Sequence, residues 1–464
     1  MASVVENERR GTRTSAVMDE IRRRIADRAL TSGEKLPSIR RFAAAMKVSP
    51  STVVEAYDRL AAEGLIRARP GSGFYVAGAQ PPLALAELQP RLDRAIDPFW
   101  VSRQSLDAGP QMLRPGCGWL PPDWLPTAAL RRAVRALAKA DDAVLTDYGS
   151  TRGQGGLRAL LARQFASEGI VAGPDQILLT GSGTQAIDLV CRFLLQPGDT
   201  VLLDDPCYFN FQALLRAHRA TIVSVPYTAS GSDVARFAEA VETHRPRLYV
   251  TNSAIHNPTG ASLSPQTAHR ILTLAAAHDL IIVEDDIFAD FEPEPSPRLA
   301  ALDGLARVVR IGSFSKTLSA SVRCGYIAAR PDWIEGLVDL QVATSFGGPS
   351  PVAAELVAGT LHDGSYRKHL AALHLKLAKR RRDMTAMLEP LGIRPFVQPR
   401  GGYYLWCSLP AGQDASVLAK AAMAEGVVLA PGNVFSVAGT AMGMMRFNVA
   451  QMDSDVMDIL RRLL

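Results

Sequence analysis

Lys316 lies in the run Ser313-Phe314-Ser315-Lys316-Thr317-Leu318-Ser319-Ala320-Ser321-Val322-Arg323. A lysine amine condenses with an aldehyde to form a Schiff base, and neighbouring hydroxyls and a guanidinium can hold a phosphate beside it. Pyridoxal 5'-phosphate (PLP) carries both an aldehyde and a phosphate. A solvated lysine in a serine-rich loop reads equally well from this run alone. The rest of the chain must therefore supply what the ring of PLP needs.

PLP acts as an electron sink only with its pyridine nitrogen protonated, which calls for a buried carboxylate. The segment Leu280-Ile281-Ile282-Val283-Glu284-Asp285-Asp286 is an apolar run ending in acids. It predicts a buried parallel strand with carboxylates at its C-terminal end, where open α/β sheets bind ligands. Asp285 is the candidate partner of the pyridine nitrogen, since adjacent strand residues face opposite ways and only one acid can reach it. Asn257, in Asn257-Pro258-Thr259-Gly260 after the β-like run 247–251, can donate to the phenolic oxygen. Ile177 to Leu189 reads as strand, turn and helix around Thr180-Gly181-Ser182-Gly183-Thr184. Such a turn presents free N–H groups and a helix N-terminus to an anion. Tyr208 can cover the ring face and Tyr148 can add a hydroxyl to the phosphate. Arg446 stands alone in the apolar run Met444-Met445-Arg446-Phe447-Asn448-Val449, where a charge needs a partner such as a substrate carboxylate. Solvated strand-end acids, a plain Asn-Pro turn, packed aromatics and an internal salt bridge are the competing readings.

In this order, the motifs from about residue 110 to 464 resemble the fold-type I aminotransferases. The resemblance implies that Lys316 forms the internal aldimine, that Asp285 pairs with the pyridine nitrogen and that Asn257 meets the ring oxygen. It assigns phosphate binding to Ser182, Gly183, Thr184, Ser313 and Arg323, a place in the cofactor site to Ser315, ring stacking to Tyr208 and the substrate carboxylate to Arg446. It also implies that Tyr148 reaches the phosphate from a neighbouring subunit, hence a homodimer. Two positions depart from the pattern. Phe288 stands where the family has a second ring-oxygen tyrosine, and Ala320 replaces a common proline.

The first 78 residues hold 14 Lys/Arg against 9 Asp/Glu, whereas the remainder holds 37 of each. The basic excess lies at one end and suggests a polyanion partner, most often nucleic acid. Val17, Ile21 and Ile25 recur at helical spacing. A second helix is expected to open at Ser38, and a third after Val48, capped by Ser49 or Ser51 and closed by Gly64. Two short β runs, 65–67 and 74–76, flank Pro70-Gly71-Ser72-Gly73. Three helices and a hairpin make a winged helix-turn-helix whose third helix enters the major groove. Gly33-Glu34-Lys35-Leu36-Pro37-Ser38-Ile39-Arg40, Ser49-Pro50-Ser51-Thr52-Val53 and Gly71-Ser72-Gly73-Phe74-Tyr75-Val76 resemble a GntR-type DNA-binding domain over residues 12–77. That resemblance places Arg40, Ser49, Thr52 and Gly71 at the DNA, with Pro50 where the family often has a basic residue.

A chain of 464 residues fits two or three domains. The expected division is a DNA-binding domain over 1–78, a linker over 79–110 and a PLP-binding domain over 111–464, with a large part at about 111–340 and a small part at about 341–464. The fold class is α/β behind an N-terminal winged helix. Five scattered cysteines make no zinc pattern or disulfide framework, so no metal is expected. With no signal peptide and no membrane span, a cytoplasmic protein is expected. A GntR-type domain joined to an aminotransferase-like domain resembles the MocR/GabR regulators. That resemblance implies a PLP-dependent transcription regulator that binds DNA and senses an amine or amino-acid effector through the Lys316 aldimine, with no physiological turnover expected. A working aminotransferase with an accessory DNA-binding domain is the alternative.

Overall fold

The structure is a computed structural model describing residues 12–26, 30, 33–69, 71–77, 98–107, 109, 111–362 and 364–464. The chain divides into two compact units, Met1–Arg94 and Ala95–Leu464. Pro70 of the expected wing turn and most of the expected linker lie outside the described residues.

The first unit holds helices α1 (Arg13–Ala26), α2 (Ile39–Met46) and α3 (Pro50–Ala62), then strands β1 (Ile66–Arg69) and β2 (Gly73–Val76) paired antiparallel. Val17, Ile21 and Ile25 bury one stripe of α1 against Phe42, Val53, Tyr57 and Leu60. Ser38 caps α2 by accepting from Arg41 N. Ser49 rather than Ser51 caps α3, because Pro50 takes the first helical position, where a missing N–H costs nothing.

The second unit begins with helix α4 (Pro98–Asp107). The sequence places these residues in a linker; instead they form a helix whose Val101 and Ser105 are buried. Behind it an eight-stranded sheet runs in the order β3 (Ile177–Thr180), β10 (Gly325–Ala328), β9 (Val308–Ser313), β8 (Ile281–Asp285), β7 (Leu248–Thr251), β4 (Thr200–Asp205), β5 (Thr221–Thr228), β6 (Gly231–Ser232). The five strands from β9 to β5 are mutually parallel, and β10 and β6 are antiparallel to their neighbours. The parallel strands are nearly continuous apolar runs, as burial on both faces requires. A second sheet, β11 (Arg394–Pro395), β12 (Tyr404–Ser408), β14 (Met444–Asn448) and β13 (Ala430–Pro431), is antiparallel.

The apolar cores put the boundary of the two lobes later than the expected 340/341. Ala354, Val357 and Tyr366 pack with the large sheet, whereas Leu373, Leu377 and Met384 pack with the small one. The helix Ser365–Leu388 spans both, so the division falls inside a continuous helix, where composition gives no signal.

Candidate functional site

Parallel strands converge their C-terminal ends on a cavity of about 260 Å³. The charged side chains lining it are Asp285, Lys316, Arg323 and Arg446. Asp285 ends β8 and is 5 % exposed. Its Oδ1 accepts from Ile287 N at 3.1 Å, and Asn252 Nδ2 donates to its backbone oxygen at 2.9 Å. Burial pushes its carboxyl up to about 7, since a desolvated carboxylate with no cation on it favours the proton.

Asp286 faces the other way. Its Oδ2 accepts from Arg298 Nε and Arg310 Nη2, each at 2.7 Å, and Arg298 Nη2 also meets Glu292 at 2.7 Å. Burial works against the Arg298 guanidinium, yet Asp286 and Glu292 together hold it above its usual range. The alternation of side chains along β8 therefore gives one acid to the cavity and the other to an ion-pair cluster.

Lys316 follows β9 in a loop closed by Phe314 N donating to Cys324 O at 3.1 Å. Its Nζ donates to Gly118 O at 2.6 Å. Loss of water around the amine, then the Arg446 charge, push its pKa down to about 8, which raises the fraction of free amine near neutral pH. The Ser313 and Ser315 hydroxyls lie 2.9 Å apart beside it, and Arg323 closes the loop with φ 52°. The helix Gly183–Leu194 starts at the same wall. Ser182 caps it, accepting from Gln185 N at 3.0 Å, while Gly183 and Thr184 bring first-turn N–H groups, which have no intrahelical acceptor. Gly325 of β10 makes this approach possible: a Cβ there would lie 2.7 Å from Ser182 C and 2.9 Å from Gly183 N.

Arg446, on β14, is 2 % exposed and makes no ion pair among the described residues. Nη1 donates to Asn257 Oδ1 and Nη2 to Gly116 O, both at 2.8 Å, and Nε has no partner among the described residues. The guanidinium carbon lies 4.0 Å from the Tyr404 ring centre and 4.8 Å from that of Phe435. The described residues thus supply no internal salt bridge of the kind that competes in the sequence. Tyr208 lines the cavity, held edge-on by Phe211. Tyr148 does not line it: the side chain is 78 % exposed, with its ring 5.1 Å from that of Phe346.

Several lining residues escape the sequence reading. Gly116 and Gly118 offer their carbonyls to Arg446 and Lys316, and Trp119 follows them. A Cβ on Gly118 would sit 3.2 Å from the Tyr404 hydroxyl and 3.6 Å from Lys316 Nζ. Tyr404 and Lys316 thus both border Gly118, and Phe288 packs edge-on against the Tyr404 ring at 5.6 Å. Tyr403 donates to the same Gly118 carbonyl at 2.9 Å. The pair of glycines around Cys117 is the one signal the sequence offers for this turn.

In the first unit, Arg40, Ser49 and Gly71 are exposed and Thr52 is half-buried. The Ser49 hydroxyl accepts from Thr52 N at 3.2 Å as a helix cap, and Gly71 holds φ +70° at the hairpin tip. Arg22, Arg23 and Arg24 of α1 are compensated, Arg22 by Glu63 at 2.7 Å and Arg23 and Arg24 by Glu20 at 2.6 and 2.8 Å. Arg40, Arg41, Lys47 and Arg67 make no ion pair among the described residues. This is the charge distribution of a surface left for phosphates.

Residues 123–464 match the family "Aminotransferase class I and II", and residues 13–76 match "Bacterial regulatory proteins, gntR family". The chain is 29 % identical to the HTH-type transcriptional regulator YdcR of Escherichia coli K12, over 93 % of this chain and 94 % of that one. It is 26 % identical to the HTH-type transcriptional regulator NorG of Staphylococcus aureus USA300, over 86 % and 92 %. Among solved structures it is similar to LysN, an α-aminoadipate aminotransferase of Thermus thermophilus complexed with N-(5'-phosphopyridoxyl)-L-leucine. That likeness has a TM-score of 0.71 and 26 % identity, and covers 81 % of this chain and 94 % of that one.

Proposed function

Because the chain belongs to the class I and II aminotransferase family and joins it to a gntR-type domain, as PLP-dependent regulators of the MocR/GabR type do, we propose that it regulates transcription by sensing an amino acid at Lys316 and Arg446. The observation that carries this reading is the pairing, in one cavity, of an amine with a lowered pKa and a buried guanidinium without a carboxylate partner among the described residues.

The donor set fits PLP. Lys316 supplies the amine for the aldehyde. Ser182, Gly183, Thr184, Ser313, Ser315 and Arg323 supply hydroxyl, N–H and guanidinium donors for the phosphate. Asp285, protonatable near neutrality when unpaired, gains a cation to hold if the pyridine nitrogen is protonated. Asn257 offers its amide to the ring oxygen, and Tyr208 its ring to the face. When bound, PLP supplies an aldehyde and an electron sink. Arg446 would grip the carboxylate of an incoming amino acid, using donors not already spent on Asn257 and Gly116. Tyr148, exposed and outside the lining of its own cavity, would serve the phosphate site of a partner subunit in a homodimer.

Arg40, Ser49, Thr52 and Gly71 would meet DNA, with α3 in the major groove. An effector alters DNA binding only through unequal affinity for two arrangements of the protein. The test is a titration of the full-length, PLP-loaded protein on DNA selected from a random pool, with and without amino acids. Arg40→Ala should weaken binding by about 1–3 kcal/mol, and an effector should change affinity about fivefold or more. An amino acid that alters the visible absorption of the cofactor but leaves DNA affinity unchanged would refute sensing.

A further inference from the structure

The cavity separates into a charged floor and an apolar wall. Lys316 Nζ and Arg446 Nη2 are fastened to the carbonyls of Gly118 and Gly116, two residues apart on one stretch of chain. The next residue is Trp119, whose carbonyl accepts from Asn448 Nδ2 at 2.7 Å, so its backbone is pinned where the residue lines the cavity. Beyond it the wall is Val101 and Leu106 of α4 and Phe209. Val101 is 1 % exposed, Phe209 7 %, and Leu106 72 %, which puts Leu106 at the mouth. Among the described residues, no charged side chain lines the cavity beyond the four already placed.

We infer that the effector is an α-amino acid with one carboxylate and an uncharged, largely apolar side chain, of the class of leucine, methionine or phenylalanine. This rests on the reading that Lys316 receives the amine and Arg446 the carboxylate. With those two groups engaged and Arg323 beside the phosphate-binding hydroxyls, the described residues left to meet the side chain of the ligand are uncharged, with Val101, Leu106, Trp119 and Phe209 the large apolar ones beyond the floor. A second carboxylate or an ammonium there would lose its water and find no counter-charge, whereas an apolar chain gains by leaving water.

The experiment follows the visible absorption of the full-length, PLP-loaded protein during titration with L-leucine, L-phenylalanine, L-aspartate, L-glutamate and L-lysine. Leucine or phenylalanine should act at a concentration about tenfold or more below that of the charged amino acids. Leu106→Arg, which sets a cation at the mouth, should narrow the gap between leucine and glutamate. Trp119→Ala should narrow it from the other side, by weakening the leucine response. Charged amino acids acting at equal or lower concentration than leucine would overturn the inference and leave the sensing reading standing. So would a gap unchanged in both variants. If no amino acid alters the absorption while borohydride still fixes the cofactor to Lys316, the assignment of amine and carboxylate fails, and the inference falls with it.

Discussion

Two clusters of buried charge meet at the end of β8, one around its last residue, Asp285, and one around the next, Asp286. In the second, Asp286, Arg298, Arg310 and Glu292 neutralise one another at 2.7 Å. In the first, Asp285, Lys316 and Arg446 share a cavity without an ion pair among them, and each charged group leans on neutral partners: Ile287 N, Gly118 O, Asn257 and Gly116 O. A buried charge lacking its counter-charge is costly, and a fold retains it where a ligand completes it. The two clusters thus separate a device that holds strands together from one that waits for chemistry.

The comparison breaks or sharpens at four points. Lys316→Ala should abolish the borohydride-fixed PLP adduct entirely, read by mass spectrometry; a retained adduct would move the chemistry to another amine. Asp286→Ala should destabilise the protein by about 3 kcal/mol, because it removes the carboxylate shared by two buried arginines and leaves Arg298 only Glu292 and Arg310 only Glu168. Chemical denaturation measures this, and a loss under about 1 kcal/mol would mean that the cluster is not what secures the strand.

Asp285→Asn should do the opposite in the cofactor-free protein. The folded carboxyl titrates at about 7 against 3.8 for the ordinary group, so the wild type loses stability as pH rises through that window. The variant should gain at most about 4 kcal/mol at pH 8, shrinking as pH falls from 7 toward 4. The same variant should bind PLP far more weakly, and equal PLP affinity would contradict its assignment to the pyridine nitrogen. Last, Phe288→Tyr adds a hydroxyl to a second ring of the cavity wall, 5.6 Å from that of Tyr404. It should lower the pH midpoint of the cofactor's visible absorption by about one unit or less. A larger shift would show that Tyr404 contributes little in the wild type. Slow transamination of common amino acids is expected for the same reason, since Phe288 brings no hydroxyl to the site.

What the sequence disclosed depended on how local the signal was. The lysine loop, the strand ending at Asp285 and the turn before the helix Gly183–Leu194 are each continuous in the chain, so spacing and residue type sufficed. Alternation along a strand separated Asp285 from Asp286. Trp119, Gly118 and Tyr404 join the cavity from a turn and a strand of the second sheet, and only the glycine pair around Cys117 marks that turn in the sequence. Helix α4 reads as linker because Pro98 suits a loop as well as a first helical position, and its few apolar residues define no clear stripe. Ser49 shows the converse: it falls within the gntR family match, and the structure gives its hydroxyl a second task that the resemblance did not name, the cap of α3.

Gly116 and Gly118 have one further consequence. A methyl at Gly116 would strike Leu429 C, and one at Gly118 would crowd the Tyr404 hydroxyl and touch Lys316 Nζ. The backbone around them is laced to one neighbouring segment: Leu113 N donates to Gly426 O, Val428 N to Leu113 O and Gly116 N to Val428 O. The chain that follows α4 is therefore woven into the chemistry within a few residues of Gly109. For anyone recombining such proteins, this sets the crossover point. A foreign DNA-binding head can be spliced upstream of α4, but a junction within 109–119 would replace the seat of the amine and the guanidinium along with the head.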